Sequence, residues 1–282
     1  MKTILIPLNG ISPSESLIDA AVRLARQTCG FVQAVWCQQT LPIIAGEGIT
    51  LPAEYLSQFE QEERELAEYS RAVFIKRIEQ LGVPLGEMDA WDRSEPRAAW
   101  MELQGTGAVA LAELARIFDI SVMHRPVPEK STEWRTTCET VLFEGGRPLL
   151  LVSDQMPEEF GRVMVIAWNG SSETARAIGM SGSLLRAARE VHVIEVEGGM
   201  VSGPSAAAVA CALKAGGVNA SAESLGPAEG SVADAIMGYA ANVDADLIVK
   251  GAYTHSRLRA LIFGGATSDI FSRSTLPVLF CH

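Results

Sequence analysis

The sequence predicts an α/β protein made of two doubly wound units in tandem, each built on a five-stranded parallel sheet. Three observations predict it. Apolar runs alternate with helical-period segments along the chain. The runs show little polar alternation, as expected of strands covered on both faces. The order also repeats: Lys2-Thr-Ile-Leu-Ile-Pro-Leu-Asn9-Gly10 matches Arg162-Val-Met-Val-Ile-Ala-Trp-Asn169-Gly170. A length of 282 residues suits two domains of this kind.

In the first unit, Lys2 to Leu8 reads as a strand. Ser12-Pro13-Ser14-Glu15 has the pattern of a capping box, with Pro13 at the first helical position. The helix continues through Leu17, Ala21 and Leu24, with Gly30 expected as its C-cap. Phe31 to Cys37 is the second strand, and a Pro/Gly-rich loop, 40–50, follows. Pro52 to Gly82 reads as a long acidic amphipathic helix that covers the sheet or the partner domain through Leu56, Phe59, Leu66, Val73 and Ile78. Asp119 to Met123 and Arg147 to Val152 are later strands. Gln155 to Phe160 is a linker too short to let the halves wander, which sets domains at 1–154 and 161–282.

The second unit repeats the scheme. Ser171 or Ser172 caps a helix through Ala175, Ile178 and Leu184. Val191 to Val196 is a strand, Pro204 to Ala215 a helix of small residues, Asp246 to Val249 a strand ending at Lys250, and Pro277 to Phe280 the last strand. The strands are expected to meet across the domains through the last strand of each unit or through adjacent faces.

Apolar residues make up 48% and charged residues 20%, and the net charge is −11. An acidic chain is not drawn to nucleic acid or to an anionic membrane. No apolar run approaches the ~20 residues that span a bilayer, and the apolar start is too short for a signal peptide and reads as a strand. Five scattered cysteines without a C-x-x-C fit a reducing cytoplasm. The four histidines show no metal-ligand spacing, and Cys281-His282 reads as a frayed strand end.

The most informative stretch runs from Gly251 to Thr267. A strand precedes it and a helix read from Ser268 follows. Glycines let the backbone approach an anion, and the first N–H groups of the helix then point at it. His255, Arg257 and Arg259 make the loop basic within an acidic chain. Thr267 and Ser268 are candidate side-chain caps of that helix. Lys250 at the end of a buried strand either meets a phosphate or, the reading preferred here, runs its stem along the sheet with its head in water. The corresponding stretch of the first unit, from His124 to Trp134, carries Pro126 and Pro128 instead of glycines. Proline removes a donor and restricts φ, so ligand binding is expected in the second unit alone.

Asn-Gly-Ser after the first strand of the second unit, with G-x2-T-x9-G-G-A-T before its last helix, resembles the universal stress proteins, in their tandem two-domain form. The resemblance implies flavodoxin-like, Rossmann-like domains, the first one degenerate, in a cytoplasmic stress-response protein. It further implies a sensor or adaptor that binds ATP or a related adenine nucleotide, with magnesium as its companion. In the family's nucleotide-binding members the pattern is G-x2-G-x9-G-S/T. Projected onto this chain, the phosphate positions are Gly251, Thr254, Gly264, Gly265, Ala266 and Thr267. The acidic position that holds the adenosine end becomes Asn169, and the apolar one falls near Val196. Three residues depart from the pattern: Thr254 replaces a glycine, Gly265 a hydroxyl residue and Asn169 an acid.

Enzyme motifs are missing: no G-x-S-x-G, no Walker lysine pattern and no H-E-x-x-H occurs. The chain is therefore expected not to be an enzyme. Slow nucleotide hydrolysis would fall to Asp269 and Glu229 by elimination. The other reading is an interaction module for a lipid or another small molecule. Two fused copies already supply an internal pair, which allows a monomer or a homodimer of tandem chains, with a protein partner unspecified.

Overall fold

A computed structural model describes residues 1–39, 52–126, 132–154, 156–157, 160–227, 230–252 and 265–282. The first unit runs β1 (Thr3–Leu8), α1 (Glu15–Thr28), β2 (Phe31–Gln38), α2 (Ala53–Gln80), β3 (Arg97–Thr106), α3 (Gly107–Ala115), β4 (Ile120–His124), α4 (Thr132–Glu144) and β5 (Leu149–Val152). The second runs β6 (Val163–Ala167), α5 (Ser172–Met180), α6 (Gly182–Ala187), β7 (Glu190–Val196), α7 (Ala206–Ala215), β8 (Ala220–Leu225), α8 (Val232–Asn242), β9 (Leu247–Gly251), α9 (Ala266–Arg273) and β10 (Val278–Cys281).

Among the described residues ten strands make one sheet, ordered β3-β2-β1-β4-β5-β10-β9-β6-β7-β8. Pairing inside each unit is parallel, whereas β10 meets β5 antiparallel, with Val278 opposite Leu151 and Phe280 opposite Leu149. Equivalent strands that pair antiparallel relate the two units by an approximate twofold axis. The join is thus through the last strands.

Both units use the same staple at the start of the sheet. Asp119 accepts from the Lys2 and Thr3 N–H groups. Asp246 accepts from Gly161, Arg162 and Val163 N–H. Each aspartate satisfies donors at the entrance to the neighbouring strand, which would otherwise be left without partners.

The apolar residues form two layers, one on each face of the sheet. Val249 and Leu247 pack with residues of α1, α2, α5, α6 and α7, while Ile248 and Phe280 pack with those of α3, α4, α8 and α9. The period-2 alternation of a strand sends successive side chains to opposite layers.

Several local expectations need correction. Ser14, not Ser12, caps α1, accepting from Leu17 N–H; Pro13 precedes the cap. Cys29, with φ 47°, ends α1 in the left-handed region. Gly30 instead lets the chain pass Lys2, whose carbonyl oxygen would lie 2.8 Å from a Cβ there. In α2 the buried stripe is Glu63, Ala67, Ser70, Phe74 and Ile78. Leu56, Phe59, Leu66 and Val73 are only half-buried along its flanks. Helix α9 begins at Ala266, and Gly265 occupies the cap with no side-chain hydrogen bond, so Thr267 and Ser268 lie inside the first turn. The C-terminus is not frayed: Cys281 is buried in β10, and His282 Nδ1 lies 3.1 Å from Ala252 O.

Candidate functional site

In a doubly wound sheet the strand order reverses at one point, and a crevice opens there at the carboxyl ends of the strands. In the second unit that point lies between β6 and β9. Asn169 follows β6, and Lys250 and Gly251 end β9.

Lys250 is the residue that sets this crevice apart. Only 5% of it is exposed. On β9 it follows Ile248 on the layer occupied by α8 and α9, and its register neighbours are Ala167 on β6 and Phe280 on β10. Its stem is therefore sheathed by apolar groups. Nζ donates to Gly251 O at 3.1 Å and to Thr267 Oγ1, in the first turn of α9, at 3.2 Å. Both acceptors are neutral. No carboxylate among the described residues pairs with it, and segment 253–264 contains no Asp or Glu. Burial lowers its pKa from 10.5 to about 8. Lys250 therefore does not reach water. Its head is held between the Gly251 carbonyl and the first turn of α9.

Gly251 N–H donates to Thr174 Oγ1 at 3.3 Å, and that hydroxyl donates to Asn169 Oδ1 at 2.7 Å. Asn169 Oδ1 also accepts from Ser171 N–H at 3.2 Å. Ser171 in turn caps α5 through Thr174 N–H. A continuous set of contacts thus joins Asn169, Thr174, Gly251, Lys250 and Thr267. Gly251 also has a packing reason to lack a side chain, because a Cβ would press on the Thr174 amide and on the Glu173 carbonyl carbon. Gly265, at φ 147°, adopts a backbone that favours glycine, and nothing lies within 4 Å of the Cβ position. Its exposure leaves the amide end of α9 open, whereas Ala266 and Thr267 are half-buried.

Two projected positions do not present themselves to a ligand. Val196 is 3% exposed and packs in the α8 layer with Ala233 and Ile236. The Asn169 carboxamide oxygen is committed to Ser171 and Thr174. Thr254, His255, Arg257, Arg259, Gly264 and Glu229 lie outside the described residues, as does Pro128. Asp269 is half-buried in α9, and its N–H bonds Gly265 O as an ordinary helical contact. Glu195 accepts from Ala206 N–H at 2.7 Å, which assigns it to the start of α7. Among the described residues no group of three or more His, Cys, Asp or Glu could hold a metal, and no helix is long and apolar enough to cross a membrane.

Sequence reasoning missed the burial of Lys250 and the role of Thr174. A lysine after three apolar strand residues was the available signal. Its meaning depends on the burial and on the contact with the first turn of α9, which only the folded chain shows.

The family model of the "Universal stress protein family" matches residues 161–282, the half that holds this crevice. Residues 161–282 are a universal stress protein domain. Residues 1–154 carry the same fold by strand order and helix placement. A universal stress protein from Archaeoglobus fulgidus DSM 4304 is similar in structure across both units: TM-score 0.67, 15% identity, 99% of this chain and 95% of that one. A protein from Pseudomonas aeruginosa UCBPP-PA14, assigned provisionally to the universal stress proteins, matches with a TM-score of 0.52 and 14% identity over 100% of this chain and 93% of its own. At such identities the likeness concerns the fold. No curated protein matches the chain by sequence.

Proposed function

We propose that the universal stress protein domain at 161–282 binds the phosphate end of an adenine nucleotide, and that the chain acts as a sensor or adaptor in a stress response rather than as an enzyme. The observation that carries this reading is Lys250, a buried ammonium with no counter-charge among the described residues, in contact with the first turn of α9, whose Gly265 cap is exposed. A cation at a helix N-terminus opposes the helix dipole. An anion seated there would be favoured by both groups at once. The residues fit the phosphate end of the nucleotide. Any magnesium would arrive on the phosphates, given the lack of a protein ligand set among the described residues. Binding would fix the start of α9, which contacts the first unit, and so alter a surface shared by both halves.

Thermal melting with and without Mg-ATP tests this. A ligand at a hundredfold excess over Kd stabilises by about 2.7 kcal/mol. Melting unchanged by millimolar nucleotide would reject the proposal.

A second reading has its own support. Val196, the position that would face the base, is sealed in the core. A phosphorylated small molecule without adenine would then suffice. Inorganic triphosphate that protects as well as ATP does would favour that ligand class, and mass spectrometry of copurified material would identify it.

A further inference from the structure

The first unit contains a cleft that the nucleotide reading leaves unused. It has a volume of about 590 Å³ and lies at the carboxyl ends of β2 and β3, under α2. Among the described residues its charged lining is Glu60, Glu63, Glu68 and Glu102 against Arg64. Acidic residues on a helix are often just a solvated face, and Glu60 and Glu68 are exposed in that way. Two lining residues are not.

Glu63 is 5% exposed and sits in the buried stripe of α2. Its Oε2 accepts from Gln39 N–H at 3.0 Å. No cation among the described residues pairs with it, and segment 40–51, which joins β2 to α2, contains no Lys, Arg or His. Burial, and then the carboxylate of Glu133, push its pKa up against the pull of the Gln39 amide. A carboxyl group in this position is costly to ionise without a positive partner. Trp36 is 2% exposed, and its indole Nε1–H is buried with no acceptor among the described residues. It stands opposite Glu102 in the β2–β3 register, so the two side chains leave the sheet on one face. A buried donor without an acceptor also loses free energy.

We propose that this cleft binds a small organic cation, an ammonium or guanidinium compound that also carries an acceptor oxygen. The cationic group pairs with Glu63 and Glu102, and the oxygen takes the Trp36 N–H. The volume falls in the range of small-molecule sites. A bare metal ion fits less well, because no group of three or more ligating side chains converges among the described residues. The site lies at the outer strands β2 and β3, so it stands or falls separately from the nucleotide crevice between β6 and β9.

The test uses the full chain. Its five tryptophans give indole N–H resonances that can be followed while arginine amide, lysine amide and ethanolamine are added, with glutarate and Mg²⁺ as controls. One indole resonance, absent in Trp36→Phe, should shift saturably with at least one of the three cations and with neither control. Glu63→Gln, which preserves shape, should weaken that binding about tenfold, and the exposed Glu102→Gln by less. The proposal is overturned if no cation gives a saturable shift at about 20 mM. It is equally overturned if Mg²⁺ reproduces the shift, or if both Glu variants bind as the parent does. Melting curves of each variant show that it is folded. If Glu63→Gln does not fold, Glu102→Gln decides.

Discussion

The two switch points of this chain solve one packing problem in opposite ways. Position 250 on β9 is matched in the first unit by Met123 on β4, and Gly251 by His124. Met123 is fully buried and apolar, so the first unit ends its strand with nothing to compensate. Its rim is then filled. His124 Nε2 lies 2.9 Å from Asp154 Oδ1, and Trp134, 4% exposed, donates to His124 O. Asn9, the counterpart of Asn169, spends its amide on Cys37 O and Gln38 O. Helix α4 is 13 residues long where α9 is 8, so it reaches further back toward the strand ends. The second unit buries a charge, keeps glycines on both sides of the loop and leaves the amide end of its last helix uncovered. Among the described residues the same fold ends one strand on a buried methionine and the other on a buried lysine without a paired carboxylate. The difference rests on a few side chains at the strand ends, not on the sheet.

The largest expected effect comes from breaking the close approach of α5 to β9. Gly251→Val should destabilise the second unit by about 3 kcal/mol or more, since a side chain there meets backbone rather than a flexible tip. Chemical denaturation would show an early transition for that unit. A variant that unfolds with the parent's midpoint would mean that α5 moves aside freely.

Lys250→Met transplants the first unit's solution. Removing the uncompensated charge should stabilise the ligand-free chain by about 1–3 kcal/mol. It should at the same time abolish stabilisation by nucleotide or triphosphate. Gain of melting temperature with retained ligand response would separate Lys250 from the anion.

The pH dependence sharpens the same contrast. Lys250 titrates near 8 in the folded chain against 10.5 for an ordinary lysine. Between those values the unfolded chain holds a proton that the folded chain lacks, so the contribution of this group to stability rises with pH from about 8 to about 10.5. Below 8 both states are protonated and the contribution is level. A bound anion favours the ammonium, so binding takes up a proton above pH 8, and affinity falls as pH rises past that point. Calorimetry in buffers of different ionisation enthalpy would measure the uptake, which Lys250→Met should eliminate.

The smallest effect concerns the seam. Arg135 of α4 donates to Ser268 and Ser272 of α9 and lies 5.8 Å from the Phe271 ring centre. Arg135→Ala should cost about 1 kcal/mol, and it should change the ligand response if the first unit senses the start of α9. An unchanged response would confine the ligand's effect to the second unit.

By itself the sequence determined the tandem repeat, the parallel sheets and the long α2, because strand and helix periodicities and the 2–10/162–170 match are local in the chain. It also made the strand–loop–helix order from β9 to α9 legible, and with it the expectation of an anion there, because glycines and that order are written in consecutive residues. Only the tertiary structure decided that Lys250 is buried, with its head against the first turn of α9, and that Val196 is sealed among α8 residues far from it in the chain. It also decided that Glu63 faces inward on a helix whose apolar pattern pointed to the flanking residues. Burial is a property of what covers a side chain, and the covering groups here come from distant segments.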